Sequence, residues 1–146
     1  MRANKIKQMW RDGRCVTMGW LSVSHGFTAE VMARQGFDAL VVDMQHGTTD
    51  MSDLWPMLQA ISQTDTVPVV RVPWNEPATI MKALDLGAYG MLVPLINTAE
   101  DAAKAVAACR YPPVGMRSSG PVRAVHYGGA DYVAKANDEI VVMAMV

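Results

Sequence analysis

The stretch Ile140-Val141-Val142-Met143-Ala144-Met145-Val146 contains no charged residue, no glycine and no proline. Its length and its β-branched residues are typical of a buried β-strand. A similar run, Ala39-Leu40-Val41-Val42, occurs earlier in the chain. Strands that are apolar without alternation belong to parallel sheets, because helices cover both faces of such a sheet.

Segments with helical spacing alternate with these strands. We predict strands over residues 16–23, 37–43, 67–72, 90–96 and 140–146. We predict helices over residues 4–13, 27–35, 50–62, 77–86, 99–110 and 132–136. Alternation of this kind indicates right-handed βαβ units. Neither a G-x-G-x-x-G motif nor a P-loop follows any strand, which argues against a nucleotide-binding fold.

The predicted fold is an α/β barrel of the (β/α)₈ TIM-barrel type. Such barrels usually take about 250 residues, so we expect this chain to contain only about the first five βα units. Residues 1–146 are thus expected to form the N-terminal part of a single barrel domain. The segment 111–139 interrupts the alternation with several glycines and is expected to be mainly a long loop.

Composition excludes several classes of function. Hydrophobic residues make up 51% of the chain and charged residues 18%, so the chain can bury a core. The formal net charge is -1 with scattered lysines and arginines, and we expect no nucleic-acid partner. No apolar stretch approaches the ~20 residues that span a bilayer, so no membrane association is expected. With two cysteines and no signal-peptide pattern, we expect a cytoplasmic protein.

Polar residues follow two neighbouring strands. Asp43, Gln45 and His46 come after the second strand, and Arg71 and Trp74 come at the end of the third. Active sites of parallel barrels are built at this end of the strands. A histidine held by a nearby aspartate can act as a general base. An arginine can bind a carboxylate or stabilise an enolate oxygen.

Each candidate also has a structural interpretation. His46 could simply begin a polar loop. Arg71 lies in an apolar strand, where its charge needs either a protein partner or a ligand. Asp85 could pair with Arg71 or face solvent. Arg117 and Arg123 could anchor the long loop or bind substrate.

Several motifs in order resemble the HpcH/HpaI aldolases, which are metal-dependent (class II) pyruvate aldolases of the phosphoenolpyruvate/pyruvate-binding barrel superfamily. The motifs are Val-Asp-Met-Gln-His-Gly at 42–47, Val-Arg-Val-Pro-Trp-Asn-Glu-Pro at 70–77, Leu-Asp-Leu-Gly-Ala at 84–88, Val-Pro-Leu-Ile-Asn-Thr-Ala-Glu at 93–100 and Arg-Tyr-Pro-Pro-Val-Gly-Met-Arg at 110–117. The resemblance covers nearly the whole chain.

This resemblance implies a set of roles. His46 would be the catalytic base, oriented by Asp43, and Arg71 would hold the oxygens of pyruvate and stabilise its enolate. Gln45, Trp74 and Asp85 would touch the substrate or support residues that do. Gln45 stands where many members have glutamate. A divalent metal (Mg²⁺, Mn²⁺ or Co²⁺) would be bound by acidic residues expected just after Val146, with no metal ligand in residues 1–146.

The function that these roles imply is a carbon–carbon lyase. It would cleave or form a 4-hydroxy-2-oxo acid, with pyruvate and an aldehyde as partners, in a homo-oligomer. The isolated chain is expected to be inactive because it lacks the metal ligands. Two alternatives stay open: a sibling lyase acting on a hydroxyacyl-CoA, and a non-catalytic fragment or assembly subunit. The Asp-x-Gln-His and Arg-x-Pro-Trp-Asn motifs argue against the first alternative.

Overall fold

The computed structural model describes residues 1–146 and confirms the predicted fold class. Five parallel strands form one sheet in the order β1-β2-β3-β4-β5, so each strand lies beside the next along the chain, as in a (β/α)₈ barrel. The strands are β1 Met18–Leu21, β2 Ala39–Asp43, β3 Val67–Arg71, β4 Gly90–Val93 and β5 Val141–Ala144. The helices are α1 Lys5–Arg11, α2 Gly26–Ala33, α3 Met51–Ile61, α4 Pro77–Asp85, α5 Ala99–Cys109, α6 Val122–Gly128 and α7 Tyr132–Glu139.

All five predicted strands exist, and each is shorter than the apolar run that predicted it. The strands are shorter because the apolar residues continue into the turns, whereas the hydrogen bonds between strands end before them. β2 and β3 are buried along their whole length. This burial agrees with their lack of alternation, since both faces of a parallel sheet are covered.

Local signals in the sequence determine where the helices begin and end. α5 begins with a capping box in which Thr98 and Asp101 each accept a hydrogen bond from the other's backbone. Pro77 occupies the first turn of α4, where its missing N–H costs nothing. Gly87 follows that helix with a φ of +104°, a conformation that favours glycine.

The segment 111–139 differs from the predicted long loop. It contains α6, which was not predicted, and α7, which extends further than predicted. α6 has no side-chain N-cap and no acidic residue in its first turn, so it lacks the usual start signals. The segment before α6 is held by buried Arg117, which bonds to Asp85 of α4. Spacing in the sequence does not reveal this tertiary contact.

The sheet presents two faces with different surroundings. Helices fully bury one face, which includes Leu40, Val42 and Val70. The opposite face carries Asp43 and Arg71 at the C-terminal ends of their strands, near the 44% exposed Trp20. None of the seven helices has the length and apolar character needed to cross a lipid bilayer.

Candidate functional site

Asp43 and Arg71 form a buried ion pair at the C-terminal end of the sheet. They are register partners, the last residues of β2 and β3. Arg71 Nε donates to Asp43 Oδ1 at 2.9 Å, and Nη2 donates to Oδ2 at 2.6 Å. The two side chains are 11% and 2% exposed, respectively. This bidentate geometry fixes the plane of the guanidinium.

Trp20 of β1 is a third member of this cluster. Its indole Nε1–H donates to Asp43 Oδ2 at 3.1 Å. The guanidinium carbon of Arg71 lies 4.8 Å from the centre of the Trp20 ring, within cation–π distance. Trp20 was not among the residues predicted from the sequence. Its position on the strand beside β2 is the only sequence signal that could have identified it.

Asp43 is held in its charged form. Burial alone would raise the pKa of the Asp43 carboxyl, but hydrogen bonds from Arg71, Trp20 and the backbone N–H groups of Gln45 and His46 outweigh it. The pKa of Asp43 is therefore well below its usual range. Asp43 is a permanent acceptor near neutral pH and is not itself suited to be a general base.

His46 lies beside this pair, but its imidazole is not held by Asp43. The backbone N–H of His46 donates to Asp43 Oδ1 at 3.3 Å, whereas the imidazole is exposed and makes no hydrogen bond within the chain. Asp43 therefore orients the loop that carries His46, in contrast to the expected contact with the ring. The short distance in sequence explains the difference, because a tight turn brings the backbone to the carboxylate first.

Gly47 makes this tight turn possible. A Cβ at this position would lie 2.6 Å from the carbonyl oxygen of Asp43 and 3.0 Å from that of Ser22. The backbone N–H of Thr48 also donates to Ser22 O at 3.0 Å. The loop after β2 thus packs closely on the end of β1, and this packing places His46 at the rim.

Three other residues that follow β2 and β3 contribute differently. Gln45 donates its backbone N–H to Asp43 Oδ1 at 3.0 Å, and its half-buried side chain makes no hydrogen bond within the chain. Trp74 is 62% exposed. Asn75 is buried and donates to the carbonyl oxygen of Asp101 at 2.9 Å, so it anchors the loop to α5.

Asp85 pairs with Arg117, and the suggested pairing with Arg71 is wrong. Arg117 Nη2 donates to Asp85 Oδ1 at 2.9 Å, and Nη1 donates to the Tyr132 hydroxyl at 3.1 Å. The Arg117 side chain is fully buried and lies over the Tyr111 ring. Arg71 is paired with Asp43 instead. Asp85, at the C-terminal end of α4, compensates the charge of Arg117. This contact supports the anchoring interpretation of Arg117.

Arg123 also makes structural contacts within the chain. It donates from Nη1 to the carbonyl oxygen of Leu86 and from Nη2 to the Ser62 hydroxyl at 2.9 Å. It borders a cavity of about 480 Å³ on the helical side, lined also by Trp55 and Tyr127. None of the rim residues lines this cavity.

The rim retains unused hydrogen-bond donors. Arg71 uses Nε and Nη2 for Asp43, while its Nη1 has no acceptor in the chain. A guanidinium whose position is fixed and whose other edge is free can bind an anionic oxygen without reorganisation. The exposed His46 imidazole supplies a group able to take up a proton. Leu95, which follows β4 in the chain, was not predicted as a site residue; it has a φ of +59° and is 45% exposed.

The residues of this chain do not fit a metal ion. No group of three His, Cys, Asp or Glu side chains is placed to hold one. The carboxylate at the rim, Asp43, has both oxygens engaged by Arg71 and Trp20. A divalent cation would need several free oxygen ligands. The prediction that acidic ligands follow Val146 stays untested.

Comparison with known protein families and sequences places these residues in context. A family model described as HpcH/HpaI aldolase/citrate lyase matches residues 16–146. The hydroxypyruvate/pyruvate aldolase of Rhizorhabdus wittichii is 41% identical over 143 residues, covering 98% of this chain and 57% of that protein. The 4-hydroxy-2-oxo-heptane-1,7-dioate aldolase of Shigella flexneri is 38% identical over 146 residues, covering 98% of this chain and 55% of that protein.

A solved structure shows the same architecture. The crystal structure of an HpcH/HpaI aldolase/citrate lyase family protein from Burkholderia cenocepacia J2315 matches with a TM-score of 0.88 and 37% identity. The match covers 97% of this chain and 59% of that one. The chain therefore spans a little over half the length of the relatives that it matches.

Proposed function

Because the chain belongs to the HpcH/HpaI aldolase/citrate lyase family, we propose that it carries part of a carbon–carbon lyase site that cleaves or forms a 4-hydroxy-2-oxo acid. The products of cleavage are pyruvate and an aldehyde. The observation that carries this proposal is the free Nη1 edge of Arg71, fixed by Asp43 beside His46.

Arg71 is proposed to bind the 2-oxo acid. Its free donors suit the negatively charged carboxylate and the adjacent keto oxygen. Because Asp43 fixes the guanidinium before substrate arrives, little ordering remains to be done on binding. When the carbon–carbon bond breaks, negative charge develops on the keto oxygen as the enolate forms, and the same donors stabilise it.

His46 is proposed to move the proton. In cleavage, the imidazole takes the proton from the 4-hydroxyl, the bond between C3 and C4 breaks, and the aldehyde leaves. The electron pair of that bond forms the enolate of pyruvate, which takes up a proton at C3. Formation of the 4-hydroxy-2-oxo acid reverses these steps. The exposed position of His46 gives it access to both substrate and solvent.

Several further properties are proposed on the family relationship. These are a requirement for a divalent metal (Mg²⁺, Mn²⁺ or Co²⁺) in the complete protein, a homo-oligomeric assembly and a cytoplasmic setting. Two free cysteines support a reducing compartment. We also propose that residues 1–146 are the N-terminal part of a single barrel domain, which the coverage of the relatives supports. The 4-hydroxy-2-oxo acid is proposed to be derived from a sugar acid or to be a dicarboxylate.

A chimera tests the proposed activity. Residues 1–146 replace the matching segment of the Rhizorhabdus wittichii aldolase, which restores the full length of the relative. Pyruvate release from a 4-hydroxy-2-oxo acid is measured with added Mn²⁺. We expect turnover by the chimera, little or none by residues 1–146 alone, and at least about a hundredfold loss in the His46→Ala chimera.

The same assay identifies failure. A folded chimera that releases no pyruvate, while the intact relative does, would show that these residues do not carry the chemistry. Normal turnover by the His46→Ala chimera would remove His46 from the mechanism. Robust turnover by residues 1–146 alone would refute the expectation that the isolated chain is inactive.

A further inference from the structure

Trp20 contacts both members of the Asp43–Arg71 pair at once. Its indole N–H donates to Asp43 Oδ2 at 3.1 Å, the same oxygen that accepts from Arg71 Nη2 at 2.6 Å. The Trp20 ring centre lies 4.8 Å from the guanidinium carbon of Arg71. The three side chains come from β1, β2 and β3, so this cluster joins three neighbouring strands.

The two contacts restrain Arg71 in different directions. The bidentate bonds to Asp43 hold the guanidinium within its plane. The aromatic ring packs on the guanidinium and opposes movement out of that plane. The indole N–H also prevents Asp43 from rotating away from the pair. The contacts with Asp43 and Trp20 together fix the Arg71 guanidinium and leave its Nη1 free to bind another group.

Trp20 points to the opposite face of β1 from its two neighbours, because successive side chains of a strand alternate between faces. Gly19 and Leu21, its neighbours in β1, are buried, whereas Trp20 is 44% exposed. A large apolar side chain left partly open beside a buried cation forms an apolar wall next to free donors. That combination suits a small ligand with an anionic group and a non-polar carbon, which a 2-oxo acid has.

We infer that Trp20 is a positioning residue that fixes Asp43 and Arg71 for binding of the 2-oxo acid. This inference rests on the proposed function. Trp20 acts through Arg71, and loss of its N–H and loss of its ring have separable effects. Trp20→Phe removes the hydrogen bond to Asp43 and keeps a smaller aromatic ring, whereas Trp20→Leu removes the aromatic ring as well.

Nuclear magnetic resonance of the 146-residue chain tests this role. The Arg71 Nε–H resonance is assigned by its loss in Arg71→Lys, and its exchange with solvent is measured. Exchange should be about tenfold faster in Trp20→Leu than in the original chain, with Trp20→Phe between them, as expected for loss of one or two modest interactions. Trp10→Phe is the matched control, because Trp10 is 40% exposed on α1 and should leave the rate unchanged.

Two results decide the outcome. Equal Arg71 Nε–H exchange in the original chain and Trp20→Phe would overturn the inference, and Trp20→Phe decides alone if Trp20→Leu fails to fold. Titration of the chimera with the Rhizorhabdus wittichii aldolase, using pyruvate in the presence of Mg²⁺, then separates the inference from the function on which it rests. If faster exchange is seen but pyruvate shifts neither the Arg71 nor the Trp20 side-chain resonance, positioning is supported and the proposed substrate is wrong.

Discussion

Arg71 and Asp43 are register partners on adjacent parallel strands and bond through two parallel N–H···O contacts of 2.9 and 2.6 Å. Asp43 therefore compensates the charge of Arg71 within the chain itself. Buried pairs of this kind are sensitive to the loss of one partner, because the other charge is then left without compensation.

The first prediction concerns the stability of this pair. Arg71→Ala should lower the free energy of unfolding by about 3 to 5 kcal/mol, since it leaves the buried Asp43 carboxylate without its cation. The measurement is urea unfolding followed by circular dichroism. Arg34→Ala is the control, because Arg34 is exposed, pairs only with exposed Glu30 and should cost less than about 1 kcal/mol.

A double-mutant cycle sharpens this test. Asp43→Asn combined with Arg71→Ala should be less destabilising than the sum of the two single changes, because removing both charges avoids an uncompensated one. Strict additivity of the two changes would show that the pair is not coupled in solution.

The second prediction is a pH dependence. The pKa of Asp43 is lowered on folding, so its contribution to stability is fully present above the unfolded-state pKa of about 4 and is lost as the pH falls toward the folded value. The free energy of unfolding should therefore decrease from pH 6 to pH 3, and less steeply in Asp43→Asn. Asp38, whose pKa is lowered to about 2 chiefly by Lys5, adds to the slope in both proteins. Identical slopes would refute the assignment to Asp43.

The third prediction concerns Arg117. Arg117→Met should destabilise the chain by about 3 kcal/mol or more, since Asp85 loses its partner and the segment 112–121 loses its anchor. Amide hydrogen exchange in that segment should accelerate more than exchange in β2. Arg14→Met is the control, because Arg14 is exposed and makes no side-chain hydrogen bond or ion pair within the chain. Unchanged protection of the segment would show that Arg117 does not anchor it.

The fourth prediction separates the two thiols. Burial raises the pKa of Cys109 to about 12, whereas Cys15 is exposed. The thiolate is the reactive form, so a thiol reagent at pH 8 should modify Cys15 alone in the native chain. Both thiols should react in denaturant. Reaction of Cys109 at the rate of Cys15 in the folded protein would contradict its burial.

The sequence predicted most of the fold because its signals are local. Unbroken apolar runs identified β2 and β3, and Thr98, Pro77 and Gly87 marked helix ends. α6 was missed because it has no cap of its own and depends on tertiary contacts. The strand ends also identified Asp43, His46 and Arg71 as residues of one rim, since parallel strands bring their C-terminal ends together.

Sequence reasoning could not determine which charges pair. The sequence suggested Asp85 for Arg71 and Asp43 for His46, and only the register of β2 against β3 brings Asp43 to Arg71. The contact between Asp43 and the backbone of His46 likewise depends on how the turn at Gly47 packs. Trp20 gave no signal beyond its place on the strand beside β2, because an apolar residue in an apolar strand has no distinguishing chemistry until its neighbours are known.

The most direct test of the account is the kinetics of Arg71→Lys in the chimera with the Rhizorhabdus wittichii aldolase. Lysine retains the positive charge but has no planar guanidinium. It therefore cannot bind Asp43 through two donors and keep a third donor, Nη1, free. We predict that kcat/KM for pyruvate release falls by at least about a hundredfold, while Arg34→Lys leaves it unchanged. Equal kcat/KM values for the Arg71→Lys and unsubstituted chimeras would contradict the central claim that the fixed guanidinium of Arg71 binds the 2-oxo acid.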